Sequence, residues 1–505
     1  MTVGNQDDGA RTEAPGAAWS AAGLLLIAAV AVLCIYRALT QAITHDEALT
    51  WQWYASGGIG RAFASYNANN HVLYSLLVGP SVSLFGTTEF ALRLPAILGT
   101  LLYLVSAWRL CRLALGRGAF SLIALGLLTL NPLVLDFLVA ARGYSLAMGF
   151  FLWGLFNLMR WLGREGSNGL LLRVSLAFGL STVSHLTFAL PSLAVALTAL
   201  AWAVPGDKRH FGRTLLCLAL PGTALAAALW LPSMLRAEGI KYVYGRESLL
   251  LTSIDLVTRS LAHHESEWLI PTASQRFIAL VGVAARLVGL ALVLLSLGVL
   301  RVVMNRPRGP SACSPAERLV VLATCALVFS LGVFVAAHNL IGALYPTDRW
   351  GLYMVLLFSL AVPAALLAGW RAGGWRRPAS TFGGLVLCVA LAQFVVQVQT
   401  THFAVWILDA GSRRFMELVV ERESRFESRT VRLEAMHWRV VPSLNFYRAS
   451  LDARSIPEIP MQWDTDAPDP DYLVVVPQLF TEDVRARFKV IDTDPVSQTS
   501  LAVRR

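Results

Sequence analysis

His71–Gly86 reads HVLYSLLVGPSVSLFG, and whether that run crosses a membrane decides how the rest of the chain is arranged. It offers roughly 14 apolar-leaning residues, about 21 Å of helix against a hydrocarbon core of about 30 Å. Pro80 and the serines at 75, 81 and 83 weaken it further. On either side lie apolar runs that are long enough. They fall near 19–39, 91–110, 118–138, 143–162, 172–187, 188–204, 214–234, 277–301, 317–338, 350–370 and 381–400. The weakest break is the one between the fifth and the sixth.

The basic residues settle the short run. They cluster at Arg109, Arg112 and Arg117; at Arg160, Arg164 and Arg173; at Lys208, Arg209 and Arg213; at Arg301, Arg306, Arg308 and Arg318; and at Arg371, Arg376 and Arg377. With 71–86 left out of the count, every cluster falls on one side, as expected of cytoplasmic loops. Counted as a span, it would turn the clusters outward and the acidic loops inward. The run therefore reads as a segment lying along the outer membrane surface. The fold class that follows is an all-α polytopic membrane bundle of about 11 transmembrane helices. The N-terminus is expected in the cytoplasm and the C-terminus outside, in the inner (plasma) membrane.

Composition agrees. The chain is 505 residues long, 56% hydrophobic and only 15% charged, with mean hydropathy +0.57, too apolar for a soluble protein of this length. Its net charge of +10 sits in the short loops, so it points to membrane topology and not to nucleic acid. The six cysteines all lie in apolar runs or short basic loops, without disulfide or metal spacing. The first run reads as an uncleaved helix, because Arg11 is offset by Asp7, Asp8 and Glu13. The expected organisation is a cytoplasmic tail at 1–18, a membrane domain at 19–401 with a first outer loop at 40–90, and an extracytoplasmic α/β domain at 402–505. In the last, Ser412–Glu423 reads as a helix, and Thr430–Met436, Tyr472–Val476 and Phe488–Ile491 as strands.

The outward-facing loops hold the candidate chemistry. Asp46 and Glu47 are the only acids between residues 40 and 88. They stand at a membrane boundary and are followed by Trp51, Trp53 and Tyr54, which suits a general base beside a lipid-borne substrate. A plainer reading is a helix start capped by Thr44 or Asp46. Asn70 and His71 follow in the same loop, then Glu89 and Arg93, four apart and able to pair on a helix end. The next turn carries Asp136, Arg142, Gly143 and Tyr144. Two ionisable residues at the edge of apolar runs either pair with each other or line a polar cavity, where Arg142 can hold a phosphate. Arg349 opens a later span and either snorkels or binds phosphate. His263-His264-Glu265 lacks the i, i+4 spacing of helical metal ligands, so no cofactor is expected and no divalent metal is indicated. No P-loop and no G-x-G-x-x-G fingerprint appears.

In order, the chain has a span, then Asp46-Glu47-Ala48, then a His71-led segment ending Leu84-Phe85-Gly86, then Glu89-Phe90-Ala91-Leu92-Arg93-Leu94-Pro95. This resembles the bacterial glycosyltransferase family 39-type proteins of the C-type glycosyltransferase fold, relatives of the protein O-mannosyltransferases and the lipid A aminoarabinose transferase. The turn Ala141-Arg142-Gly143-Tyr144 and the pair Asp348-Arg349 resemble their later outer-loop motifs. The similarity spans about residues 19–370. It implies a glycosyltransferase using a polyprenyl-phosphate-linked sugar donor and an extracytoplasmic acceptor, with inverting stereochemistry. It further implies Asp46 as general base with Glu47 beside it in the motif, and Arg142 and Arg349 on the donor phosphate. His71 sits where relatives often carry His-Pro-Pro, and Asn70, His71, Tyr144 and Asp136 complete the expected substrate contacts. Three alternatives stay open: a transporter or flippase, a scaffold whose outer tail binds a partner, and a ligase using a pyrophosphate-linked donor.

Overall fold

The computed structural model describes residues 8–63, 69–203, 208–236, 245, 247–249, 256, 260, 263, 312–346, 348–424, 430–462 and 468–505. The expected span 277–301 and the loop residues His264 and Glu265 lie outside them.

Ten helices lead to residue 234: α1 (Asp8–Thr40), α2 (His45–Thr50), α3 (Val72–Phe85), α4 (Glu89–Leu115), α5 (Ala119–Thr129), α6 (Pro132–Val139), α7 (Tyr144–Arg160), α8 (Asn168–Ser184), α9 (Ala189–Ala203) and α10 (Lys208–Met234). Then come α11 (Pro315–Ile341), α12 (Leu352–Ala372) and α13 (Arg376–Val396). By length and hydropathy, seven helical segments among the described residues can cross a membrane, and an eighth is the pair α5–α6, bent by 57°. Asn131 and Pro132 make that bend. The Asn131 side chain accepts the Leu133 and Val134 N–H groups, and Pro132, which has no N–H to lose, opens the new helix. As expected, Val72–Phe85 is too short to be one of the crossing helices.

Small residues let the helices close on one another. A Cβ on Gly149 of α7 would come within 2.9 Å of the Gly99 carbonyl oxygen of α4, and one on Gly179 of α8 within 2.4 Å of the Gly222 carbonyl oxygen of α10. Between such helices backbone contact replaces the hydrophobic drive that lipid cannot supply. Among the described residues, the arginine clusters lie at one set of helix ends. They occupy the C-terminal ends of α4, α7 and α12 and the N-terminal ends of α8, α11 and α13.

The tail begins with a 3-10 segment, Ala404–Asp409, followed by α14 (Ser412–Glu423), β1 (Leu433–Ala435), α15 (Val441–Ser450), β2 (Tyr472–Val475), α16 (Glu482–Arg487), β3 (Phe488–Thr493) and β4 (Ser500–Arg504). The sheet order is β1-β2-β4-β3, with β1 and β2 parallel and the remaining pairs antiparallel. Period-2 alternation sorts β2 into two faces. Leu473 and Val475 pack with Val484, Phe488 and Ala502, while Tyr472 and Val474 join a larger core. That larger core contains Phe415, Leu444 and Phe446 of the tail together with Ile43, Ala48, Tyr74 and Leu92 of the first loop and its flanking helices. Tyr447 fastens the two, accepting the Ile43 N–H at 2.8 Å and donating to Glu89 at 3.1 Å. The tail is therefore a cap seated on the first loop.

Candidate active site

Thr44 starts the site. Its side chain accepts the Glu47 N–H while the Glu47 carboxylate accepts the Thr44 N–H, a capping box that fixes the start of α2. Helical geometry turns successive side chains by about 100°. Asp46 and Glu47 consequently face different surroundings.

Asp46 lines a cavity of about 430 Å³ at the helix ends opposite the arginine clusters. Its Oδ2 atom accepts from Arg349 Nη1 at 2.6 Å and from Trp406 Nε1 at 3.1 Å, with Arg142 Nη1 at 3.2 Å. Burial, the largest single influence, pushes the carboxyl up. Arg142 and Arg349, helped by the Trp406 N–H, overcome it and hold Asp46 well below the ordinary carboxylate range. Asp46 is thus a carboxylate at any physiological pH.

Arg142 is buried, and fixed by the first loop. Asn69 Oδ1 accepts from its Nη1 and His71 Nε2 from its Nη2, the latter at 2.9 Å. A guanidinium can only donate, so Nε2 of His71 carries no proton and the ring is neutral. Burial first, then the charges of Arg142 and Arg349, hold His71 well below its usual range. The His71 ring stacks on His185 at 4.7 Å, and Tyr144 packs on His185 at 4.2 Å. Gly143 is required here because a Cβ would come within 1.9 Å of the Ser184 carbonyl oxygen. Trp53, Trp230, Trp350 and Trp438 also line the cavity. Its volume falls within the range of small-molecule sites.

The structure gathers Asp46, Asn70, His71, Arg142, Tyr144 and Arg349 around this one cavity. It places two expected residues elsewhere. Glu47 is wholly buried in a two-pronged pair with Arg93, Nε to Oε1 at 2.9 Å and Nη2 to Oε2 at 2.8 Å, and also accepts the Ala141 N–H at 2.5 Å. All its acceptor capacity goes into holding α2 against α4 and the Arg142 turn, so it presents nothing to a substrate. Asp136 is also wholly buried, taking Arg37 at 2.6 Å, the Ala404 N–H at 3.0 Å and His263 at 3.1 Å. It ties α6 to α1 and to the start of the tail. Neither the Asp136–Arg142 pair nor the Glu89–Arg93 pair forms, since Arg142 goes to Asp46 and Arg93 to Glu47. Asn70 lines the cavity, but its amide already serves the Ala62 carbonyl and the Ser75 hydroxyl.

Sequence reading missed Asn69, His185, Trp406 and Trp438. The last two come from the tail, about 360 and 390 positions from Asp46, and no local pattern marks them. No group of three His, Cys, Asp or Glu side chains suited to a metal ion occurs among the described residues.

Fold and site together define a polytopic helical membrane protein with a capped, charged and aromatic cavity at one end of the bundle. No protein-family model matches the chain, and no curated protein does. Among solved structures it is similar to ArnT from Cupriavidus metallidurans, bound to undecaprenyl phosphate (14% identity, 95% of this chain and 97% of that one, TM-score 0.43) and in the apo state (14%, 95% and 97%, 0.42). It is also similar to the Archaeoglobus fulgidus oligosaccharyltransferase complex with Zn and sulfate (11%, 94% of this chain and 73% of that one, 0.46).

Proposed function

We propose that the chain is a membrane glycosyltransferase that takes a sugar from a polyprenyl-phosphate-linked donor and gives it to an acceptor hydroxyl on the extracytoplasmic face of the plasma membrane. The observation that carries this is a single carboxylate, Asp46, held between two guanidiniums in an aromatic cavity at the bundle end remote from the arginine clusters. By the positive-inside rule that end is extracytoplasmic. A lipid-linked donor reaches it from the outer leaflet.

The donor phosphate competes with Asp46 for Arg142 and Arg349. Arg349 is the more exposed of the two, at 24% against 2% for Arg142. As the guanidiniums pass to the phosphate, Asp46 loses the charges that suppress its basicity. It then takes the acceptor proton as the hydroxyl oxygen attacks the anomeric carbon. The bond from that carbon to the phosphate oxygen breaks, and the charge gathering on the lipid phosphate is met by the arginines in a dry site. Asn70, His71 and Tyr144 contact the sugar or hold the wall that does. Glu47 and Asp136 act through position alone.

Arrangement also counts against a transporter. A flippase would carry its ionisable residues near mid-membrane, whereas among the described residues the buried charges that line the cavity stand at one end of the bundle. Binding of polyprenyl phosphate to the purified protein in lipid discs tests the reading. Wild type should bind it, and Arg349→Gln should weaken binding about 10-fold or more, as loss of a charge-assisted phosphate contact does. Equal binding by both proteins, or none by wild type, contradicts it.

A further inference from the structure

The proton that Asp46 accepts has to leave before the next turnover, and Asp46 is poorly placed to keep it. Three donors already crowd Oδ2. The other oxygen, Oδ1, stands 3.9 Å from Nε2 of His45. On the far side of that ring, Nδ1 lies 2.8 Å from Oδ2 of Asp409, and the same oxygen accepts the His45 backbone N–H at 2.9 Å. A carboxylate only accepts, so the neutral ring keeps its proton on Nδ1 and presents the Nε2 lone pair on the side of Asp46. Ser443 in turn donates to Asp409 Oδ1 at 2.7 Å. Asp409 is 1% exposed and belongs to the tail, not to the membrane bundle.

We infer that His45 receives the proton from Asp46, and that Asp409 of the cap is the positioning residue that orients the ring and stabilises its cationic form. The inference rests on the transferase reading. Transfer across 3.9 Å needs a small side-chain adjustment or one intervening water. The step balances. The acceptor O–H proton moves to Asp46, then to Nε2, and leaves the imidazolium for solvent past Trp438, which packs edge-on against His45 at 5.8 Å and is 45% exposed. No oxidant, metal or further reactant is needed. The titratable and charged groups around His45 are Asp46 on its own helix, Asp409 from the start of the tail and His437 beside Trp438, with Arg142 and Arg349 beyond Asp46. This gives the cap a direct part in turnover, where a lid would merely exclude water.

The test uses the full chain in lipid discs, with mannose, glucose, arabinose and aminoarabinose on polyprenyl phosphate as donors and cell-envelope extract as acceptor. Under donor saturation, Asp409→Asn should lower kcat by about 10²-fold with KM for the donor unchanged. Asp409→Glu should restore much of the rate. An Asp409→Asn enzyme that keeps its rate, or that loses kcat and donor KM together without rescue by Asp409→Glu, as a merely structural contact would, overturns the relay. If Asp409→Asn does not fold, His45→Gln decides, since its kcat must fall by a similar factor in a protein that still binds polyprenyl phosphate. A wild type that consumes none of the donors overturns the transferase reading, a result distinct from all of these.

Discussion

Asp46 and Glu47 differ by one methylene and one position, and do different work. Glu47 is enclosed by donors of the protein itself, while Asp46 is shared between the protein and the cavity. His71 carries the clearest pH dependence. Its folded pKa lies below the ordinary histidine value of about 6.5. Between the two values the unfolded chain binds more protons than the folded one, so stability rises with pH in that window and falls as pH drops below about 6.5. Unfolding midpoints taken from pH 7.5 to 5 in detergent should fall for wild type and fall less for His71→Gln. An equal decline in both would mean that His71 is not held neutral. The pair of acids was legible in the sequence, but the division of labour between them was not. It depends on Arg93 and Ala141, which reach Glu47 from two other elements.

At the scale of elements, one buried ion pair and one glycine hold the site's two halves in register. Arg93 donates to Glu47 and to the carbonyls of Ala38, Gln41 and Ala42, so α4 grips the whole turn leading to Asp46. Removing one partner of such a pair leaves a bare buried charge, and Glu47→Ala should cost about 3–5 kcal/mol. Chemical or thermal unfolding of the solubilised protein measures it, and a cost below about 1 kcal/mol would show the pair to be idle. Gly143→Ala is a subtler lesion. Its methyl would meet the Ser184 carbonyl oxygen and lie 2.9 Å from His71 Cβ. Relief should cost about 1–3 kcal/mol and push His71 off Arg142, weakening polyprenyl phosphate binding in parallel. Elements were the most legible level in the sequence. Lipid demands long apolar helices, and the tail's helix at Ser412–Glu423 follows from an amphipathic pattern. The strand Ser500–Arg504 is not legible in the sequence. It is five residues long and ends in charge, and its pairing with β2 and β3 is what makes it a strand.

The whole molecule is a bundle that leaves its reactive end to be finished by its own tail. Trp406 reaches Asp46, Trp438 lines the cavity, and Phe415, Leu444 and Phe446 share a core with the first loop. Loosening that seat should therefore damage the site at a distance. Phe446 is fully buried and packs edge-on against Trp51 at 5.5 Å. Phe446→Ala should destabilise by about 3–5 kcal/mol and lower activity more than its distance from the cavity suggests. Undiminished activity in that variant would mean that the cap is not needed for the chemistry. This dependence was not legible in the sequence, where the tail reads as a separate domain because its composition changes abruptly near residue 402.

Asp46 stands at the centre of the proposed sugar transfer from a polyprenyl-phosphate carrier. The most direct measurement is transfer of radiolabelled sugar by wild type and Asp46→Asn, side by side in lipid discs, across a panel of polyprenyl-phosphate pentoses and hexoses with cell-envelope extract as acceptor. Wild type should consume at least one donor. Asp46→Asn, folded and still binding polyprenyl phosphate, should be slower by about 10²- to 10⁴-fold. Equal rates from the two proteins would remove Asp46 from the chemistry, and no consumption of any donor by wild type would contradict the transferase reading altogether.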